Sequence, residues 1–209
     1  MYPPQTLEVN NITLSRGGKK LLRDISFVLT PGHWIHVQGD NGIGKTTLLR
    51  AVTSLVPLDS GEVSWGKKNT LDDRPSFLKD VFFMGHKLAL KEELSPFENL
   101  NIETQLMQAE STSADILSAL DYFGLRGREQ VPLAILSQGQ KRRVSLAKLK
   151  LTHAPLWVLD EPFVALDTHS VRLLTDLIED HLVQGGSVIL TSHQNVDFEC
   201  PGEIMRLSR

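Results

Sequence analysis

The stretch Gly39-Asp40-Asn41-Gly42-Ile43-Gly44-Lys45-Thr46-Thr47 constrains this chain more than any other. It follows Trp34-Ile35-His36-Val37-Gln38, an apolar-rich run expected to be a strand. It precedes Leu48-Leu49-Arg50-Ala51-Val52, which continues as a helix. A turn of the pattern G-x-x-x-x-G-K-(S/T) between strand and helix is a phosphate-binding loop. Gly39, Gly42 and Gly44 allow a tight turn whose N–H groups point inward at phosphate oxygens. The helix starting near Lys45 turns its positive end to the same anion. Lys45 adds a mobile cation for β- and γ-phosphates, and the Thr46 hydroxyl is of the type that holds Mg²⁺. Asp40, Asn41, Ile43 and Thr47 complete the expected nucleotide cradle.

The rest of the chain alternates strands and helices around that loop. Residues 7–14 alternate apolar and polar side chains as a half-buried strand does, and 22–30 read as a second strand closed by Pro31-Gly32. Residues 62–65 and 81–84 are short strands, with 66–76 polar and irregular between them. Helices are expected over 96–108, with Ser95 as cap and Pro96 in the first turn, and over 114–123. A basic helix comes next, to about Leu151, then an apolar strand over 156–159, a helix over 168–184 and a strand over 187–191. The fold class is therefore α/β, with a mostly parallel core sheet, an antiparallel β edge and catalytic groups at strand C-terminal ends. Residues 86–136 form a helical subdomain set into a core of 1–85 and 137–209.

Bulk properties narrow the classes. At 209 residues the chain is one domain with room for a sizeable core. A net charge of −3 argues against a dedicated nucleic-acid binder, and no run approaches ~18 consecutive apolar residues. The first residues carry no signal-peptide pattern, and the single cysteine, Cys200, fits a reducing compartment. Cys200-Pro201 is read as an ordinary loop cysteine rather than a haem ligand.

Four further features decide among phosphate-loop proteins. Leu156-Trp157-Val158-Leu159-Asp160-Glu161-Pro162 places two carboxylates directly after an apolar strand. Asp160 there can hold Mg²⁺, while Glu161 can polarise the attacking water or accept its proton. Leu136-Ser137-Gln138-Gly139-Gln140 opens a helix with Ser137 as cap, a second anion-seeking N-terminus. Ala165-Leu166-Asp167 and, after the strand 187–191, His193 complete the set. In order and spacing these motifs resemble the Walker B motif, signature, D-loop and switch histidine of ABC-type ATPases over nearly the whole chain. The resemblance implies catalytic roles for Glu161 and His193, metal binding by Thr46 and Asp160, and a homodimer sandwiching two ATPs. In that dimer Ser137, Gly139 and Gln140 would contact nucleotide held by the other copy.

Within the family the chain looks like the ATP-binding subunits of bacterial haem exporters. The residues that carry this are Gly85-His86, Glu98-Asn99-Leu100, Gln140-Lys141-Arg142-Arg143-Val144, Phe163 after Pro162, and Thr191-Ser192-His193-Gln194. The resemblance implies separate membrane-spanning subunits, a role in c-type cytochrome biogenesis, and a peripheral place on the cytoplasmic face of the inner membrane. Two positions depart from the family pattern. His86 stands where glutamine is usual, and Arg16 stands where an aromatic residue is usual; its planar guanidinium can stack on adenine. The Lys141, Arg142, Arg143, Lys148 and Lys150 side chains are expected to form a solvated basic face rather than a nucleic-acid patch. The competing readings are another ABC transporter subunit, or a soluble ABC-type ATPase acting on nucleic acid or ribosomes. Neither the long coiled-coil insertion nor the second cassette typical of the latter is present.

Overall fold

The computed structural model describes residues 1–107, 111–194 and 197–208. In chain order the elements are β1 (Leu7–Arg16), β2 (Lys19–Leu29), β3 (Trp34–Gln38), α1 (Lys45–Val52), β4 (Ser60–Trp65) and β5 (Lys68–Asn69). Next come α2 (Arg74–Lys79), β6 (Val81–Met84), α3 (Pro96–Leu106), α4 (Ser113–Tyr122) and α5 (Gln138–Ala147). The last are β7 (Leu156–Asp160), α6 (Thr168–Val183), β8 (Ser187–Thr191) and β9 (Gly202–Arg206). Two sheets result. One is antiparallel, in the order β2-β1-β4-β5, and the other is parallel throughout, in the order β6-β7-β8-β3-β9.

The chain divides into two compact units. The first comprises Met1–Gly85, Ala154–Pro162 and Glu179–Arg209, and the second His86–His153 and Phe163–Ile178. In the first, alternation along each strand sorts side chains to opposite faces of the parallel sheet. Ile35, Val37, Leu156, Val158 and Ile189 join Leu7, Val9, Ile12 and Leu14 of the antiparallel sheet in one core. Helix α1 supplies Leu48, Leu49, Ala51 and Val52 to the same core. Each fully buried Leu or Ile there contributes about 1.5–3 kcal/mol. That burial anchors α1, and with it the loop that precedes it.

In the second unit the helix starts are set by their caps. Ser95 and Glu98 form a reciprocal capping box on α3, with Pro96 in its first turn, and Thr112 and Asp115 do the same for α4. Helix α3 ends at Leu106 with Met107 as its C-cap; Gln108, where the sequence placed the end, lies outside the described residues. Leu100, Ile116, Ala119, Leu120, Phe123 and Val144 are buried in this unit. Among the described residues no helix is long and apolar enough to cross a membrane.

Candidate active site

Strand β3 delivers the glycine-rich loop and α1 receives it. Gly39 and Gly44 have φ of 151° and 119°, in the range that side chains rarely adopt. Space is also short there: a Cβ on Gly44 would lie 2.9 Å from Leu21 Cδ2, and one on Gly39 3.1 Å from the Leu207 carbonyl. Helix α1 has Gly44 as N-cap and no capping side chain, whereas α3, α4 and α5 each have a capping box. Its first-turn N–H groups are thus available to an anion. Lys45 Nζ donates to the carbonyls of Gly39 at 2.6 Å and Asp40 at 3.2 Å, folded over the loop. Asp40, Asn41 and Gly42 are exposed at its rim; Ile43 is buried beneath, and Thr47 is half-buried.

Two acidic residues sit where β7 ends. Strand register brings Asp160 opposite Thr191 on β8, and Thr191 opposite Val37 on β3. Asp160 is 2% exposed, and both carboxylate oxygens are occupied. Thr46 Oγ1 donates to Oδ2 and Thr191 Oγ1 donates to Oδ1, each at 2.8 Å. The Glu161 N–H donates to the same Thr191 oxygen at 2.9 Å. Glu161 itself has φ 54°, in the left-handed region, and its carboxylate meets His193 while that of Asp160 meets Thr46 and Thr191. Its Oε1 lies 3.4 Å from His193 Nε2, with the glutamate side chain 13% exposed and the histidine 59%.

The oxygens of Thr46 and Asp160 fit Mg²⁺. The ion takes hard oxygen ligands at about 2.0–2.1 Å in an octahedron, so neighbouring ligands sit about 2.9 Å apart. The observed 2.8 Å separation matches one edge of such a shell. Lys45, Thr46, Asp160, Glu161 and His193 thus gather in the first unit. Thr191 and His36 join them; the sequence reading quoted Thr191 only as part of the Thr191-Ser192-His193-Gln194 run and gave neither residue a role in the site. The only available signal for Thr191 was a hydroxyl closing an apolar strand one residue before Ser192-His193.

The second unit holds the other expected residues. Ser137 Oγ accepts the Gln140 N–H at 3.2 Å while Gln140 Oε1 accepts the Ser137 N–H at 2.9 Å, a capping box at the start of α5. A Cβ on Gly139 would meet the Ala165 carbonyl at 3.6 Å, an ordinary contact, so the signature turn lies beside Ala165-Leu166-Asp167. Asp167 caps α6, accepting the Ser170 N–H at 2.7 Å, and that bond holds its carboxyl below the usual range. His86 opens this unit and is exposed, while Arg16 is exposed at the β1–β2 turn.

The basic face of α5 and the turn that follows it (148–150) is not solvated, contrary to the sequence expectation. Lys141, Arg142 and Lys148 are buried. Lys141 Nζ pairs with Glu92 at 2.8 Å and Lys148 Nζ with Glu103 at 3.0 Å, their side chains 9% and 5% exposed. Removal from water is compensated by those carboxylates, which come from elsewhere in the chain. Of the five, only Lys150 stays exposed, with its Nζ 4.2 Å from the centre of the Tyr122 ring.

The chain resembles known proteins in sequence and in fold. A family profile described as ABC transporter matches residues 22–164. The chain is 45% identical over 203 residues to the cytochrome c biogenesis ATP-binding export protein CcmA of Albidiferax ferrireducens, covering 97% of each. It is 44% identical over 195 residues to the Vibrio vulnificus protein of the same name, covering 93% of this chain and 95% of the relative. Among solved structures, a putative ABC transporter ATP-binding protein from Pyrococcus furiosus superposes with a TM-score of 0.82 at 27% identity, over 95% of this chain and 96% of that one. The ATP-binding cassette MJ0796, in a dimeric post-hydrolysis state bound to ADP and Pi, shares the fold. Its TM-score is 0.78 at 22% identity, over 90% of this chain and 88% of its own.

Proposed function

The chain belongs to the ABC transporter family of ATPases, and from that premise we propose that it is the ATP-hydrolysing subunit of an inner-membrane complex that exports or handles haem for c-type cytochrome biogenesis. The observation that carries the hydrolytic part is the chain of hydrogen bonds from Thr46 through Asp160 and Thr191 to the Glu161 N–H, with the Glu161 carboxylate 3.4 Å from His193 Nε2. The likeness to CcmA over nearly the full length carries the cargo assignment.

In this reading the backbone N–H groups of residues 39–47 and α1 receive the phosphates. Lys45 exchanges its carbonyl contacts for β- and γ-phosphate oxygens. Mg²⁺ held by Thr46 and Asp160 would screen the phosphate charge. Glu161 accepts the proton of the attacking water, and His193 hydrogen-bonds the γ-phosphate. Arg16 lays its guanidinium on the adenine ring. Ser137, Gly139 and Gln140 act on nucleotide bound by a second copy, so the working form is a homodimer closed on two ATPs. Separate membrane-spanning subunits recruit it to the cytoplasmic face of the inner membrane, with no part for nucleic acid. The helical segment 86–136, opened by His86, is the part that meets them.

Two measurements test this. Glu161→Gln should bind ATP, dimerise in saturating ATP by light scattering, and lose about 100-fold or more in kcat. Near-normal turnover, or a chain that stays monomeric with ATP, would sink the shared catalytic site. Co-purification from membranes should recover integral membrane subunits; recovery with ribosomes or DNA instead would overturn the transport role. His86→Ala should then bind ATP normally but lose stimulation by those subunits. Unchanged stimulation would make His86 a bystander.

A further inference from the structure

Beneath the switch histidine lies a second one that the hydrolytic chemistry does not touch. His36 is the middle residue of β3, an otherwise apolar strand position, and is fully buried. By strand alternation it stands on the face opposite Ile35 and Val37, away from α1. Its Nε2 lies 3.1 Å from the carbonyl oxygen of Ser192, and its Nδ1 lies 3.4 Å from Gln38 Nε2. A carbonyl only accepts, so Nε2 carries the hydrogen; Nδ1 then presents its lone pair to the Gln38 amide. Both neighbours therefore select one neutral tautomer. Burial pushes the imidazole pKa down, while the Ser192 bond and the Glu161 charge pull it up.

The bond matters because Ser192 is the residue directly before His193. The Ser192 hydroxyl accepts the Gln194 N–H at 2.9 Å, which closes a tight turn around His193. His193 is itself largely exposed, and its side chain lies against Glu161 at 3.4 Å. An exposed imidazole at a turn keeps its place only as well as its backbone does. A misplacement of about 1 Å at a reacting centre can lower a rate about 100-fold.

We infer that His36 is a positioning residue for hydrolysis: its Nε2–H anchors the Ser192 carbonyl and thereby fixes His193 against Glu161. This rests on the reading of Glu161 and His193 as hydrolytic residues. His36 reaches no phosphate in this role. It sets the geometry of the group that does, so substrate binding by the glycine-rich loop is independent of it.

The test compares steady-state ATP hydrolysis by the full chain and its variants. His36→Leu keeps an apolar filling but has no donor; kcat should fall about tenfold or more with KM for ATP within about twofold. His36→Gln places an amide N–H at nearly the reach of Nε2, and should recover kcat to within about threefold of the parent. Adding His36→Leu to His193→Ala should cost less than about twofold further, because both act through one group. If His36→Leu does not fold, His36→Met serves as the donorless variant. Parent-like kcat in the donorless variant, failure of His36→Gln to recover, or full additivity with His193→Ala would each overturn the inference. Should His193→Ala be impaired while His36→Leu is not, only the inference falls. Should His193→Ala turn over like the parent, the hydrolytic reading of His193 falls and takes the inference with it.

Discussion

Thr191 uses one oxygen twice: it donates to the Asp160 carboxylate and accepts the Glu161 N–H. The first bond orients the acidic group that faces Thr46; the second holds the peptide at which the chain turns left-handed. That turn lets adjacent carboxylates point to different tasks. A non-glycine residue there costs about 1 kcal/mol or more, which the surrounding hydrogen bonds must offset. Thr191→Val preserves shape but leaves a carboxylate oxygen and an N–H buried without this partner. It should destabilise the fold by about 2–4 kcal/mol in a urea melt and lower kcat well below that of Thr191→Ser, which keeps the hydroxyl. Equal behaviour of the Val and Ser variants would show that the hydroxyl is not what matters.

Among elements, the segment between β6 and α3 is tied to α3 by one side chain. Asn99 Oδ1 accepts the Lys91 N–H at 2.8 Å, and its Nδ2 donates to the carbonyls of Lys91 and Ser95, both at 3.0 Å. Asn99→Ala should cost about 2–3 kcal/mol and speed amide exchange over residues 88–95. A change in stability without faster exchange there would mean that the loop is held by other contacts. What was legible in the sequence is what local chemistry specifies. The glycine-rich loop, the Ser95 cap, the strands at 81–84 and 187–191 and the acidic pair at the end of β7 each announce themselves within a few residues. Helix α2 did not, because it has six residues and buries only Phe77. Strand β9 did not either: it is mostly exposed and exists through backbone pairing with β3 rather than through apolar alternation. The basic surface of α5 and the turn after it was misread because its partners, Glu92 and Glu103, are 49 and 45 residues away in sequence. The Thr191 and His36 contacts also cross between distant strands, beyond the reach of any local pattern.

At the scale of the molecule, His181 makes stability depend on pH. It is buried, stacked 3.8 Å from the Trp157 ring, and 3.3 Å from the Tyr2 hydroxyl. Burial pushes its pKa down to about 4, against 6.5 ordinarily. Between those values the unfolded chain binds a proton that the folded chain refuses. The contribution is therefore complete above about pH 6.5 and is lost as pH falls towards 4, on the order of 3 kcal/mol in all and about 2 by pH 5. Urea midpoints at pH 7.5 and pH 5 should differ accordingly, and His181→Phe should flatten the difference. An identical pH dependence in that variant would assign the effect to other groups. The topology of the parallel sheet has a consequence of another kind. Strand β3 is hydrogen-bonded to β8 on one side and β9 on the other, and both come more than a hundred residues later in the chain. On a ribosome adding about 5–20 residues per second, the strand that carries the nucleotide loop waits many seconds for either neighbour. The nucleotide loop is therefore made well before either of the strands that enclose its supporting strand.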